Sequence, residues 1–502
     1  MHVISLVCIF FLYAGLVLFG VAHHEPWFDE AQAWLLSRDS QPWDLFNHYL
    51  RYEGTPGLWH LILGLAAKSG GTYASMNLIG AVCAMVGVLI FLIYAPFPLF
   101  FKIIFPFSYF MFYQYAVVAR SYVLMPALLF SIAALYRRRF NHLWAYALLL
   151  ALLSNLSIHG LIISFSLACL DLFHLWPQRK QILSQPSLKW TLMFAYGLVL
   201  AAGLLAIWQV RFPSDHAFVQ PKASYSFRFV RGITGKFLVR AFTERPWLSY
   251  LIGGISLWHF WKTRTLSLFL LPFILIGHLF ALAYANVWHE GIIFLLWVFC
   301  LWISLERSKD EPVLASDEDD HDSYQIQLPP WHRMLVLLGL LIVLAIQLEW
   351  SYKAFRNDLK SNYSAAEEVA VYLKKHAALH HTIYATGFHS IAILPYFEKN
   401  IFSNYGYSHQ FAFWDWSLKN DMVDDLECIV LQRPEVIVLG IKTRFVSAAP
   451  EIPGYVARKF TGYLYWKSRT LEEDSYVVYE RMKHRLQVVE SCGKEFLQNT
   501  WP

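Results

Sequence analysis

The residues best suited to chemistry lie just after the first apolar run, in the stretch His23-His24-Glu25-Pro26-Trp27-Phe28-Asp29-Glu30. Two adjacent carboxylates flanked by Trp and Phe at a membrane edge are costly unless they are solvated or put to use. Their plainest reading is structural, because an acid in the first turn of a helix opposes the positive end of the macrodipole. The functional reading is a general base, since partial burial raises a carboxylate pKa toward working pH. His159 and His289 stand at the outer ends of predicted helices, where a lone histidine is often simply interfacial. Arg120 stands at another, where snorkelling to the interface is the plain alternative. Lys236 and Arg240 share a helical face at i, i+4 in a basic segment, suited either to a phosphate or to anionic lipid. Tyr122 and Glu53 are further polar candidates. Asp29, Glu30 and several histidines are ligand types for a divalent metal if folded together. Their spacing identifies no such site, so no metal or other cofactor is assigned and a divalent metal stays open.

Apolar blocks must position these residues. The chain has 502 residues, 57% hydrophobic and 15% charged, where a soluble globular protein carries about 25% charged residues. Runs such as 3–22, 75–94, 190–209, 266–285 and 333–346 each approach the ~20 residues that cross a hydrocarbon core. The expectation is a polytopic α-helical membrane protein. Arg137-Arg138-Arg139, Arg179-Lys180 with Lys189, and Lys262 with Arg264 follow apolar runs and mark cytoplasmic ends. Keeping them inside gives about eleven crossings, at 3–22, 75–94, 97–114, 117–136, 141–154, 158–175, 190–209, 246–261, 266–285, 289–306 and 333–350. The amino terminus is then inside and everything after residue 350 outside. The run 57–67 reads as re-entrant or partial. The first run lacks a basic start and a small-residue cleavage site, so it reads as a retained helix rather than a signal peptide.

The transmembrane domain, 1–350, carries two outer loops. Residues 23–56 contain an amphipathic helix from Asp29 to Arg38. Residues 210–245 hold Lys222, Arg228, Arg231, Lys236, Arg240 and Arg245 against Asp215 and Glu244. Residues 307–331, with Asp317-Glu318-Asp319-Asp320, read as a solvated cytoplasmic linker. Residues 351–502 have the composition of a small extracytoplasmic α/β domain. In it, 364–376 reads as an amphipathic helix, and 382–386, 435–441 and 476–480 as strands. Cys8, Cys83, Cys169 and Cys300 read as small buried hydrophobes, while Cys428 and Cys492 suit one disulfide in an oxidising compartment. The net charge of +5 gives no argument for nucleic acid. No glycine-rich phosphate loop occurs, which argues against an ATP-driven pump.

An acidic pair after the first helix, an amphipathic helix, and a Pro-containing turn into a short apolar run together resemble the GT-C glycosyltransferases. Here they read Trp27-Phe28-Asp29-Glu30, then 31–38, then Glu53-Gly54-Thr55-Pro56-Gly57-Leu58-Trp59-His60. The chain looks most like the bacterial branch of protein-mannosyltransferase-like and lipopolysaccharide-modifying (RgtA/B/C/D-like) enzymes. The resemblance continues through Ala119-Arg120-Ser121-Tyr122, Ser157-Ile158-His159-Gly160 and Trp288-His289-Glu290-Gly291. It spans most of the chain, in short motifs whose order carries it. Two positions depart from the pattern: the turn has one proline rather than two, and Trp288 stands where many members carry Arg. The second departure bears on how a phosphate is held.

The resemblance implies sugar transfer from a polyprenyl-phosphate donor to a hydroxyl of a glycan, lipid or protein acceptor on the outer face of the bacterial cytoplasmic membrane. Asp29 would be the base, by analogy with an inverting glycosidase, and Glu30 would bind acceptor hydroxyls or tune Asp29. Arg120, with Lys236 and Arg240, would meet the lipid phosphate, with Tyr122, His159, His289 and Glu53 as further site residues. The partners would be that donor, its acceptor and membrane lipids, without nucleic acid. The rival readings are a transporter or flippase of a lipid-linked or small solute, and a non-catalytic membrane scaffold. A transporter calls for broken or charged helices near the midplane, often in two related halves; neither is evident in the sequence.

Overall fold

The computed structural model describes residues 2–213, 215, 226–282, 285–307, 329–376, 382–405, 412–417, 420, 422–441 and 449–482. Long apolar runs form its helices. In chain order the longer ones are α1 (His2–Val21), α2 (Phe28–Asp39), α3 (Leu58–Lys68), α4 (Ala74–Tyr94), α5 (Met125–Leu135), α6 (Leu143–Ser154) and α7 (Ile158–Leu175). They continue with α8 (Pro186–Gln209), α9 (Phe227–Phe242), α10 (Pro246–Lys262), α11 (Leu266–Leu282), α12 (Glu290–Arg307), α13 (Pro330–Asp358) and α14 (Ala366–His376). Three of them, α8, α10 and α13, begin on proline, whose fixed φ suits the first helical position and whose missing N–H costs nothing there.

Among the described residues, six helices are long and apolar enough to cross a membrane: Val3–Val21, Ala74–Tyr94, Ile158–Leu175, Pro186–Gln209, Val287–Arg307 and Trp331–Asp358. Shorter apolar helices are α3, α6 and α11. Two expected crossings come out differently. Segment 97–114 is not one helix but a helical turn at Leu99–Ile104, a 3-10 turn at Phe105–Phe107 and a wider π-type turn at Phe110–Gln114. Pro106 removes a backbone donor and Ser108 adopts an extended conformation, so the ladder breaks there. The expected 117–136 helix begins only at the 3-10 turn Ser121–Leu124. The basic segment 210–245 contains a regular helix, α9, capped by Ser226, whose hydroxyl accepts the Phe229 N–H at 3.2 Å. Lys222, Cys492 and nearly all of the acidic linker fall outside the described residues, so the Cys428–Cys492 pairing does too.

The chain divides into two compact units. The first comprises residues 1–22, 46–62 and 77–355. Its centre is α12, whose apolar span is 94% buried and which packs against α5, α9, α10 and α11. Aromatic side chains fill the space around it. Trp302 stacks on Phe130 with centroids 5.9 Å apart, and Trp297 donates its indole N–H to Ser256 Oγ at 2.9 Å. The indole thus buries its large apolar face without leaving its donor unpaired. Large apolar residues such as Phe11, Ile93, Phe165 and Leu200 face outward, as lipid-facing positions should. At the end of α7, Asp171 binds Arg139 Nε at 2.6 Å and the Tyr146 hydroxyl at 2.8 Å. That buried charge pair is therefore internally satisfied.

The second unit comprises residues 23–45, 63–76 and 356–502. The expected domain boundary at 351 lies inside α13, and residues 23–45 of the first outer loop, with α2, belong to this unit, while 46–56 belong to the helical one. Its sheet has the order β1 (Ile383–Thr386), β2 (Val436–Ile441), β6 (Ser475–Arg481), β3 (Tyr455–Phe460). Strands β1 and β2 run parallel; the other pairs are antiparallel. A hairpin of β4 (Tyr463–Trp466) and β5 (Arg469–Glu473) completes the strands. All six residues of β2 are buried, as a central strand covered on both faces requires. The core packs Ile429, Ile437, Leu439, Ile441, Val477 and Tyr479 together.

Candidate functional site

In the helical unit, three segments far apart in sequence bring Arg120, Tyr122, His159 and His289 together, each at the start of a helical element. Arg120 is the extended residue (φ −115°, ψ 169°) before the 3-10 turn that leads into α5. His159 is the second residue of α7, which Ser157 caps by accepting the Gly160 N–H at 3.0 Å. His289 ends the 3-10 turn Val287–His289 that opens α12, and Asn286 Oδ1 accepts the Val287 N–H at 2.6 Å. The two imidazole centroids lie 4.5 Å apart. The Tyr122 ring is 6.3 Å from His159 and 5.9 Å from His289. The Arg120 guanidinium lies 5.6 Å from the Tyr122 ring centre and 5.7 Å from that of Trp288.

Two glycines make this approach possible. A Cβ on Gly160 would collide with the Leu153 carbonyl of α6, and one on Gly291 with Phe110 and Tyr115. Glycine is the residue that tolerates such contact. Trp288 provides a face for the Arg120 cation and so helps fix it. Phe280 of α11 stacks on His289, 5.7 Å away and nearly parallel.

The polar groups of this cluster are of the kind that can meet an anion. The N-termini of α7 and α12 carry the positive ends of two helices, and Arg120 adds a full charge. Both rings are buried, and neither ring nitrogen of His159 has a hydrogen-bond partner among the described residues. Leaving buried polar groups unsatisfied costs about 1–3 kcal/mol each. A ligand with acceptor oxygens would relieve that cost.

The remaining basic and acidic candidates separate. Arg240 approaches the buried Glu290 carboxylate at 3.5 Å, at the start of α12. Lys236, one turn earlier on α9, is exposed and outside the ring cluster. Glu53 is half-buried at the end of the short helix Leu50–Glu53.

In the second unit the acidic pair also separates. Glu30 is fully buried, and Asp29, its neighbour in the first turn of α2, is half-buried. Glu30 Oε2 accepts the Trp27 N–H at 3.3 Å and so caps the start of α2. The same oxygen lies 3.1 Å from His24 Nε2, and His24 Nδ1 lies 3.0 Å from Asp358 Oδ2. Burial by itself would push the His24 pKa down; the carboxylates of Asp358 and Glu30 outweigh it and hold it well above its ordinary 6.5. The two carboxylates flanking His24 thus favour its imidazolium form. Next to it, burial raises the Glu25 carboxyl to about 7, although Glu25 accepts the Tyr363 N–H at 2.8 Å.

The face of α2 that carries Asp29 is held by aromatic contacts and by one amide. Phe28 packs against Phe388 at 4.9 Å, His389 at 5.3 Å and Trp416 at 6.1 Å. Gln32 donates to the Trp414 carbonyl at 2.8 Å and accepts the Trp414 N–H at 2.9 Å. Trp414 and Trp416 remain half-exposed. Among the described residues, no group of three or more His, Cys, Asp or Glu is arranged to hold a metal ion.

Comparison with protein-family models, curated proteins and solved structures gives no match.

Sequence reasoning picked out Arg120, Tyr122, His159 and His289 through their motif order. It missed His24 as the partner of Glu30 and Asp358 as the partner of His24. His24 was visible beside the acidic pair, but Asp358 lies 334 positions away with no local signal.

Proposed function

We propose that the protein moves a sugar from a polyprenyl-phosphate-linked donor to a hydroxyl of a glycan, lipid or protein acceptor. The observation that carries this reading is the gathering of Arg120, Tyr122, His159 and His289 at the N-termini of α7 and α12. That is the equipment a lipid phosphate needs, both as a bound group and as a leaving group. In the reaction an acceptor oxygen attacks the anomeric carbon, and a new C–O bond forms as the bond from that carbon to the phosphate oxygen breaks. The acceptor proton passes to Asp29, and polyprenyl phosphate leaves with the electron pair. No nucleotide is consumed, in keeping with the missing phosphate loop.

Of the two carboxylates, Asp29 is the better base because it is half-exposed, whereas Glu30 is enclosed by His24 and the cap of α2. Glu30 therefore serves as a positioning residue in this reading. The half-exposed Trp414 and Trp416 offer faces on which sugar rings stack. The setting that goes with this chemistry is a bacterial cytoplasmic membrane with about eleven crossings, the broken segment 97–114 among them, and an extracytoplasmic C-terminal unit.

The test is turnover by purified protein in lipid with a panel of polyprenyl-phosphate sugars, wild type against Asp29→Asn. Donor loss and mass gain on glycan, lipid and peptide acceptors are followed. Wild-type transfer that falls by about 10²–10⁴-fold in Asp29→Asn, with donor binding kept, is the expected outcome. Equal transfer by both proteins removes Asp29 from the role of base, and failure to bind any lipid-linked sugar removes the transferase reading.

A further inference from the structure

At the other ends of α5 and α12, away from Arg120 and His289, a groove of about 900 Å³ opens between α4, α5 and α6. Its walls are apolar, with Ile90 of α4, Leu135 of α5, and Leu148 and Leu149 of α6. Its rim is basic and polar, with Arg137, Arg138, Asn141 and His142 on the turn that joins α5 to α6. Arg137 and Arg138 are exposed, in contrast to the next residue, Arg139, which is buried and bound to Asp171 at 2.6 Å. The single acid of the lining is Glu306 at the end of α12, and its Oε1 accepts the Trp302 indole N–H at 2.9 Å.

We propose that this groove binds one anionic phospholipid, its phosphate between Arg137 and Arg138 and an acyl chain along Ile90, Leu148 and Leu149. Two features argue for a lipid over a soluble anion. The wall below the arginines is apolar along the sides of helices that also present Ile93, Tyr94 and Leu148 to the outside. A free phosphate gains nothing from such a wall, whereas an acyl chain does. The charge balance argues for an anionic headgroup over a zwitterionic one, because two guanidinium groups against the one Glu306 carboxylate leave the lining net positive. Each basic side chain at a membrane surface adds about 1 kcal/mol toward an anionic headgroup. The two arginines therefore favour it by about 30-fold, using 1.4 kcal/mol per factor of ten. This inference is independent of the transferase reading.

The experiment is native mass spectrometry of the full chain in detergent, titrated with phosphatidylglycerol, phosphatidylethanolamine of the same chains, or inorganic phosphate. Four proteins are compared: wild type, Arg137→Gln/Arg138→Gln, Ala145→Trp and Arg179→Gln/Lys180→Gln. Ala145 is an exposed residue of the groove wall, so tryptophan fills the groove without changing charge. The third variant pair removes the same charge from a different basic cluster. Wild type is expected to hold phosphatidylglycerol at least tenfold more tightly than phosphatidylethanolamine and to retain no inorganic phosphate. Both groove variants should lose that preference, and the Arg179/Lys180 variant should keep it. Equal retention of the two lipids by wild type overturns the proposal. So does an equal loss in the Arg179/Lys180 variant, which makes the effect general surface charge, or retention of inorganic phosphate as tight as the lipid.

Discussion

His24 and His159 are both buried imidazoles, yet carboxylates lie at hydrogen-bonding distance from both nitrogens of His24, while neither nitrogen of His159 has a hydrogen-bond partner among the described residues. Around His24 the charges close on one another: Glu30 and Asp358 share one imidazole, and Glu30 also caps α2. Around His159 the polar groups are gathered against aromatic faces at two helix N-termini. A closed network of this kind stabilises the fold, whereas the polar atoms of His159 add nothing to it. Burial of an ionisable group is thus no guide to function until its partners are counted. Glu30 is the more buried carboxylate of its pair and, for that reason, the less suited to catalysis.

The largest expected effect breaks the closed network. His24→Gln leaves the buried carboxylates of Glu30 and Asp358 without the cation between them and should destabilise the second unit by about 3–5 kcal/mol. Thermal unfolding followed by limited proteolysis between residues 356 and 482 reads this out. His159→Gln removes no paired charge and should cost at least about 2 kcal/mol less. Equal costs for the two histidines would erase the contrast between the clusters.

A pH series sharpens the same contrast. A His24 pKa raised above 6.5 contributes stability that is fully present below about pH 6.5 and lost as pH rises through the folded value. The Glu25 shift has the same sign, because its folded value of about 7 lies above the ordinary 4.5. Its contribution is full below about pH 4.5 and lost by about pH 7. The second unit should therefore unfold at a lower temperature at about pH 9 than at about pH 6. His24→Gln should flatten the upper part of that slope, and an unchanged slope in this variant would mean that other groups set it.

The smallest effects separate Arg240 from Lys236, two of the four cations of α9. Arg240→Gln removes the contact to the buried Glu290 carboxylate and should cost about 1–3 kcal/mol by thermal unfolding. Lys236→Gln changes an exposed side chain and should stay within about 0.5 kcal/mol, with donor binding altered less than twofold. A tenfold loss of donor binding in Lys236→Gln would restore it to the phosphate site.

Much of this architecture was legible in the sequence. The apolar runs 3–22, 75–94, 158–175 and 333–350 became helices α1, α4, α7 and α13 within a few residues at most ends, because uninterrupted apolar runs have few alternatives. The helix at 364–376 and the strands at 382–386, 435–441 and 476–480 also appear. Strand β3 did not signal itself, since Arg458 and Lys459 lie on an exposed edge with no apolar alternation. The hairpin β4–β5 is short and turns through Lys467 at φ 59°, a conformation that glycine or asparagine would have announced. Helix α9 was hidden by its arginines, which made a packed helix read as a basic loop. Least legible was the grouping of residues 23–45 with the C-terminal unit, since the Gln32–Trp414 amide pair and the His24–Asp358 contact join positions more than 300 residues apart.

The most direct test of the central claim is equilibrium binding of a short-chain polyprenyl-phosphate sugar to three proteins in lipid: wild type, Arg120→Gln and Asp29→Asn. Binding weakened by about tenfold or more in Arg120→Gln, the loss expected for a charge-assisted contact of about 1.5–3 kcal/mol, is predicted. Asp29→Asn should bind like wild type. Wild-type binding by Arg120→Gln, with a loss confined to Asp29→Asn, would contradict the assignment of the phosphate to the Arg120, Tyr122, His159 and His289 cluster.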